Sequence, residues 1–549
     1  MRNIVLDNNG HFCEILKKYE SFTVEEVIND GVIIKYSKNM TFSIMFFSDN
    51  YDYTGQMPLI VSNNFYEDFP HMITENMNIN GTDYRVICLY EKDKYIFSSF
   101  NFEQKIDFIL NQLEKLISLD KLNQEKEFQK EFSYYWNTQA QRNFYPHIYI
   151  SCDEKLKQLT YYKKNSKYRV LSMDKKLNDL SSWKKTKDVG FFIPIIDVSG
   201  ILPPTYQRKW EIDDLLYILK NSQVDKIPGD VYNALSKLSI KSKKIDLFFR
   251  FPTEHDLIFG CRIIFKNSGV GLFFDKIIKD TDKIEPFVSK REDFLYLNRS
   301  IGNTKSDKKV AIVGCGSLGS YVSTELIKSG ISNLVLVDGD QFTSENTFRH
   351  TLPHLFSDIK KSIALKVTLE EIHPEISVES YPYNLDNENI ESIIKEHNID
   401  IIIFCIGSTD EQIKLSKSLS GNKCSIIYSC IYSWLESNGQ DSRIIGIPVN
   451  SYGCYRCLKK EVEILFPRSK GYEESIWISD GCGGTRVKYG NRTLLAASNG
   501  VLEAYEEILS SKAPFAIASN ITKGIQKSPL EWKECDYCGR KAEEICSTE

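Results

Sequence analysis

Within residues 1–125, Ile106, Ile109, Leu110, Leu113, Leu116 and Ile117 recur every three or four positions, which predicts an amphipathic helix with one buried stripe. Ahead of it the apolar period shortens. "GVIIKYS", "TFSIMFF" and "MPLIVS" predict successive strands, and the spacing from Phe12 to Val27 predicts an opening helix. A turn-rich segment carrying Cys88 lies between the meander and the second helix. Residues 1–125 therefore predict an α+β domain.

Over residues 126–300, "GFFIPIIDVSGILPP" and "IDLFFRF…LIFGCRIIFK" predict strands with helical stretches between them, a mixed α/β linking domain. "NRSIGNTKSDKK" is polar and turn-rich and marks a boundary. Over residues 305–549 the apolar runs Val310–Val313, Leu334–Val337, Ile401–Cys405 and Ser425–Tyr428 alternate with helical patterns. That alternation predicts a doubly wound, Rossmann-like parallel sheet, so the fold class is α/β.

The first of those runs leads into Gly314, Gly316 and Gly319 at G-x-G-x-x-G spacing. Gly314 lets the strand turn, Gly316 lets backbone approach a phosphate, and Gly319 lets the helix pack against the strand. Asp338 ends the second run, where a carboxylate can hydrogen-bond a ribose. Arg349 and Lys361 follow, and cations near phosphates suit phosphoryl chemistry better than hydride transfer.

Composition narrows the class. At 549 residues the chain exceeds one core, and 42% hydrophobic with 26% charged residues is globular. The net charge of -5 argues against nucleic acid as the main partner. No run approaches the ~18 apolar residues of a membrane span. The N-terminus lacks a secretory core, so the expectation is a cytoplasmic protein without membrane association. Fourteen cysteines in a reducing compartment are not a disulfide framework. Two C-x-x-C pairs, Cys454/Cys457 and Cys535/Cys538, suit tetrahedral Zn²⁺, structural because four thiolates leave no open position. Cys482 stands apart in "SDGCGG", with Arg486 and Lys488 close enough in sequence to favour a thiolate.

Asp338, Asp340, Asn346, Arg349 and Lys361, followed by His373–Pro374, resemble the pattern of the ThiF/MoeB and ubiquitin-activating adenylating superfamily. The resemblance implies that Asp338 holds the ATP ribose while Asn346, Arg349 and Lys361 contact the phosphates. It also implies a structural zinc on the two cysteine pairs, a thioester at Cys482 and a homodimer. The family usually places a Mg²⁺-binding Asp directly after the fourth strand. Here Asp410 comes a few residues later, and it serves equally as a residue favoured by a helix dipole.

Residues 1–125 resemble the ubiquitin-conjugating fold in element order, in "FPHM" (Phe69 to Met72) and in the "CL" at Cys88 ahead of an amphipathic helix. Asn80, eight residues before Cys88, stands where that family keeps an oxyanion-stabilising Asn, although "NI" replaces the usual "HP". The two halves together look like bacterial fusion enzymes of ubiquitin-like conjugation, particularly those of CBASS antiphage operons. That implies ATP-dependent activation of a protein C-terminal carboxylate, thioester formation at Cys482 and Cys88, and transfer to a target lysine. The activated protein would be a cGAS-like nucleotidyltransferase or a ubiquitin-like protein. The alternatives are a sulfur-carrier adenylyltransferase of the thiamin or molybdopterin type and a non-enzymatic nucleotide-binding scaffold.

Overall fold

The structure, a computed structural model, describes residues 12–28, 31–36, 40–45, 57–63, 69–73, 77–79, 81–91, 94–140, 144–151, 155–173, 175–195, 199–205, 208–221, 223–224, 227–228, 230–251, 257–303, 306–421, 428–449, 451, 453–467, 477–479 and 485–531. They divide into two units: residues 1–174 with 184–291, and residues 175–183 with 292–549.

The first unit begins with a six-stranded antiparallel sheet of order β1-β2-β3-β4-β6-β5, built from β1 (Phe22–Ile28), β2 (Gly31–Tyr36), β3 (Met40–Met45), β4 (Leu59–Ser62), β5 (Met77–Ile79) and β6 (Thr82–Ile87). Helix α1 (Phe102–Ile117) buries all six residues of its predicted stripe against Val32, Ile34, Ile60 and Ile87. Asn101 and Gln104 cap its start reciprocally, at 2.8 and 2.9 Å. The predicted helix over residues 12–27 is corrected: helical residues stop at 16, and β1 pairs with β2 from Phe22↔Tyr36 to Ile28↔Gly31. Thr23, Val24, Val27 and Ile28 are β-branched, and an available strand partner outweighs a weak helical period.

Helices α2 (Lys121–Lys130) and α3 (Phe132–Gln139) lead into a second, mixed sheet. Its strands are β7 (Pro146–Tyr149), β8 (Lys157–Lys164), β9 (Lys167–Ser172), β10 (Gly190–Pro194), β11 (Lys244–Phe251), β12 (Leu257–Phe265), β13 (Thr281–Phe287) and β14 (Lys290–Arg291), in the order β13-β12-β11-β10-β8-β9-β7-β14. Phe132, Trp136 and Trp210 pack over it, against Phe259 of β12. Buried Asp246 is held by Arg262 through two bonds of 2.7 and 2.9 Å, so this interior charge is paired.

The second unit is an eight-stranded sheet of order β17-β16-β15-β18-β19-β20-β21-β22. The strands are β15 (Val310–Val313), β16 (Asn333–Val337), β17 (Ser377–Tyr381), β18 (Ile401–Phe404), β19 (Ser429–Leu435), β20 (Asp441–Ile447), β21 (Phe515–Asn520) and β22 (Gly524–Pro529). β15 to β19 run parallel as expected, and β20 to β22 add an antiparallel flank. The connection around Gly439 is too short for a crossover, so β20 must return beside β19. Of the strand expected at Ser425–Tyr428, residues 425–427 lie outside the described residues and Tyr428 is not in a strand; β19 begins one residue later, at Ser429.

Val310 and Ile312 face α4 (Ser317–Lys328), α5 (Lys361–Glu370) and α9 (Asn491–Ile508). Ala311 and Val313 face α6 (Asn387–His397), α7 (Thr409–Gly421) and α8 (Tyr455–Leu465). A strap from earlier in the chain completes the unit: the Asn178 backbone N–H donates to the Pro374 carbonyl at 2.9 Å, and its side-chain amide to those of Glu370 and Ile376 at 3.0 and 3.3 Å.

A side chain at Gly319 would overlap the Gly314 carbonyl oxygen, which is backbone and cannot step aside. Gly319→Ala should therefore cost about 1–3 kcal/mol of stability in the second unit, read by thermal unfolding, despite alanine's better helix propensity.

Candidate active site

Strand order reverses between β15 and β18, and in open α/β sheets ligands bind in the crevice at that point. The chain leaves β15 through Gly314, whose φ of 93° is a conformation side chains rarely adopt. A Cβ there would lie 2.9 Å from the Cys405 carbonyl oxygen at the exit of β18. The loop is thus seated directly against the neighbouring strand end. Gly316 is the N-cap of α4 and supplies no side-chain cap, while a Cβ there would meet open space. The first N–H groups of α4 have no intrahelical acceptor, an arrangement suited to an anion.

Between these glycines sits buried Cys315. Its N–H donates to Asp338 Oδ2 at 2.6 Å, and its carbonyl lies 2.7 Å from His350 Nε2. The other Asp338 oxygen accepts the Asp340 N–H at 2.8 Å. Burial raises the Asp338 pKa above the ordinary carboxylate value, with the Lys361 ammonium working against that. Lys361 opens α5; its Nζ lies 2.9 Å from Asp340 Oδ2 and its backbone N–H donates to the Asp340 carbonyl at 3.0 Å. Lys360 Nζ reaches the Gly339 carbonyl.

Arg349 ends a 3₁₀ turn (Ser344–Arg349), which Asn346 caps by accepting the Thr343 N–H at 3.2 Å. The Arg349 Nε is buried and has no hydrogen-bond acceptor among the described residues. A buried donor is costly unless it meets an acceptor, and an anionic ligand is one group that could supply it. Gly314, Gly316, Gly319, Asp338, Asp340, Arg349 and Lys361 thus converge on the carboxyl ends of β15 and β16, with Asn346 shaping the turn beneath Arg349. Asp410 stands on the other lip, in the exposed first turn of α7. Ser408 Oγ accepts the Glu411 N–H there at 3.3 Å.

In the first unit, Cys88 follows β6 with an exposed side chain, and its Sγ lies 3.8 Å from the Tyr90 carbonyl oxygen. Its N–H donates to the His71 carbonyl at 2.8 Å. His71 has a left-handed φ of 66°, and its ring is gripped from both sides: Nδ1 is 2.7 Å from Glu131 Oε1 and Nε2 is 3.2 Å from Glu127 Oε2. Burial opposes the charged ring, but the two carboxylates outweigh it and the His71 pKa is raised. This grip is therefore complete below the ordinary histidine value and loosens as pH rises through the raised one.

Cys454 is buried as the N-cap of α8, and Cys457 Sγ accepts the Cys454 N–H at 3.1 Å. A helix N-terminus favours thiolates, so these two suit half of a zinc site. Cys535 and Cys538, like Asn80 and Cys482, lie outside the described residues. No group of three or more His, Cys, Asp or Glu placed to hold a metal occurs among the described residues.

Sequence reading did not assign a role to His350, Lys360 or His71. His350 directly follows Arg349, and His71 lies within "FPHM"; Glu127 and Glu131, four residues apart where α2 ends, were the available signal for its partners.

Residues 298–501 match the ThiF family. Over 185 residues the chain is 29% identical to the ATP-dependent ubiquitin transferase-like protein Cap2 of Pseudomonas aeruginosa, covering 32% of each protein. It is 25% identical over 165 residues to ubiquitin-like modifier-activating enzyme 5 of Drosophila mojavensis, covering 28% of this chain and 39% of that one. It is 31% identical over 121 residues to the molybdopterin-synthase adenylyltransferase of Haemophilus influenzae, covering 22% of this chain and 49% of that one. These alignments span between 32% and 49% of the relatives' lengths. The crystal structure of E. coli MccB with MccA-N7isoASN aligns with a TM-score of 0.31 at 20% identity, over 43% of this chain and 67% of that one. No helix among the described residues is long and apolar enough to cross a membrane. The stretch from 298 to 501, which carries the glycine loop, Asp338, Arg349 and Lys361, is therefore a ThiF-family domain.

Proposed function

We propose that this protein adenylates the C-terminal carboxylate of a protein with a free tail and passes the acyl group, through cysteine thioesters, to target lysines. The observation that carries the reading is Arg349, whose buried Nε meets no acceptor among the described residues and which directly precedes the His350 bound to a glycine loop pinned by Asp338 at the sheet's switch point. A carboxylate oxygen attacks the α-phosphorus of ATP, the bond to the β-phosphate breaks, and pyrophosphate leaves. Arg349 and Lys361 offset the charge that develops. Mg²⁺, with Asp410 as its candidate ligand, would neutralise phosphate charge. The Cys482 thiolate then attacks the acyl carbon and AMP leaves. Cys88 takes the acyl group by thioester exchange, and a lysine amine forms the isopeptide bond.

The exposed thiol of Cys88, at the end of a strand in a sheet-and-helix layer of its own, supports the conjugating half of this reading. A cGAS-like nucleotidyltransferase or ubiquitin-like protein as substrate, a homodimer and a cytoplasmic site complete it. Cys454 and Cys457, with Cys535 and Cys538, would hold a structural zinc.

Arg349→Ala should lower carboxylate-dependent ATP–pyrophosphate exchange by at least ~100-fold, as expected for losing a group that stabilises phosphoryl charge. Near-normal exchange would remove Arg349 from the site. Cys88→Ala should still form a reductant-sensitive thioester at Cys482 yet label no target; normal target labelling would refute the conjugating role of Cys88. Metal analysis of protein purified without chelators should find one zinc per chain. Less than half an equivalent would refute the zinc site, and Cys457→Ser should lower thermal stability along with zinc content.

A further inference from the structure

We propose that His350 is a positioning residue for nucleotide binding, which fixes the turn of the glycine loop by holding the Cys315 carbonyl while itself remaining outside the nucleotide's reach. This rests on the nucleotide reading of the loop.

The hydrogen bonds settle the ring's tautomer. Leu352 N–H donates to His350 Nδ1 at 3.1 Å, so Nδ1 must be the acceptor. The proton of the neutral ring is therefore on Nε2, which donates to the Cys315 carbonyl at 2.7 Å. The Phe342 ring packs edge-on against the imidazole at 5.2 Å between centroids.

Cys315 is thus tied at both ends of its backbone, through its N–H to Asp338 and through its carbonyl to His350. Both partners belong to the segment from 338 to 350, which also carries Asn346 and Arg349. A third tie, from Thr351 N–H to Ser320 Oγ at 3.3 Å, joins the end of that segment to the first turns of α4. Arg349, proposed to meet the phosphates, and the loop proposed to cradle them are therefore linked through the backbone of one segment. His350 is the tie nearest Arg349 that holds the loop itself.

The charged groups around the ring favour its neutral form. Burial pushes its pKa down to about 4, and the Lys361 and Arg349 cations push the same way against the stabilising Cys315 carbonyl. The Asp338 carboxylate approaches from the other side of Cys315, engaged with that residue's N–H. A second proton would have to sit on Nδ1, facing the Leu352 N–H, and would break that bond. With the folded-state pKa below the ordinary 6.5, the unfolded chain binds the extra proton. Stability from this residue is therefore full above about pH 6.5 and falls away towards pH 4.

The test uses the full-length protein, ATP binding by calorimetry, and amide hydrogen exchange. His350→Phe keeps an aromatic ring but can neither donate nor accept, whereas His350→Gln keeps an N–H donor. The Phe variant should bind ATP at least about tenfold more weakly, the order expected when one buried hydrogen bond is lost. The Gln variant should recover to within about threefold, since its amide replaces the Nε2 donor. A Phe variant with a lower melting temperature but unchanged ATP affinity overturns the proposal, because a merely structural role predicts that result. The ratio of wild-type to Gln-variant affinity cancels the titration of ATP itself and should stay flat from about pH 8 to about pH 5.5, where an ordinary histidine would titrate. A ratio that collapses on acidification overturns the neutral ring. Exchange across residues 313–320, measured without nucleotide, tests the coupling alone. Faster exchange in the Phe variant supports it and unchanged exchange overturns it. A wild-type protein that binds no ATP would instead refute the nucleotide reading.

Discussion

A single buried residue, Cys315, sets the geometry at the mouth of the C-terminal sheet. Its N–H and carbonyl both end on residues well downstream in sequence, Asp338 and His350, which draw the segment after β16 up against the glycine loop. Gly314 sets the other side by abutting the exit of β18, and Gly319 brings α4 onto the strand. Two close approaches and two hydrogen bonds therefore locate the loop before any ligand arrives. Preorganisation of this kind lets donors meet developing charge without rearranging first.

Charge within the second unit follows from that geometry. Asp338 is partly withdrawn from water yet accepts two backbone N–H groups, which is how a carboxylate is kept in place despite burial. Lys361 is paired with the far more exposed Asp340, a partner that water screens and that a phosphate could replace. Of these three groups, only Arg349 has a buried donor that meets no acceptor among the described residues. The three groups grade from satisfied, through replaceable, to waiting. In the first unit the same physics appears with opposite sign, where two carboxylates hold the His71 ring and its carbonyl meets the Cys88 N–H.

Much of this was legible beforehand. The stripe of α1 and the core strands β15, β16 and β18 follow from apolar period, because burial on one or both faces leaves a direct trace in sequence. Gly314, Gly319, Asp338 and Lys361 stand out by spacing, and the structure brings them to one end of the sheet. The residues missed, His350 and His71, act through partners far away in the chain, Cys315 for one and Glu127 and Glu131 for the other. No local period encodes such pairings. β1 was misjudged for a related reason: its extended form depends on β2, and a short apolar run does not reveal whether a strand partner exists. The antiparallel flank β20 to β22 was likewise hidden, since strand direction is decided by connection length.

The Asn178 strap bears on modularity. Three points of covalent crossing, at 174/175, 183/184 and 291/292, join the two units, where a simple tandem fusion would have one. No single cut in the gene separates them into complete parts. A fragment starting at 292 would keep the whole eight-stranded sheet but leave the Pro374 carbonyl without its Asn178 donor. The chain alternates between the two units, so moving either one into another protein would carry a thread of the other's sequence along or leave a dropped stitch behind.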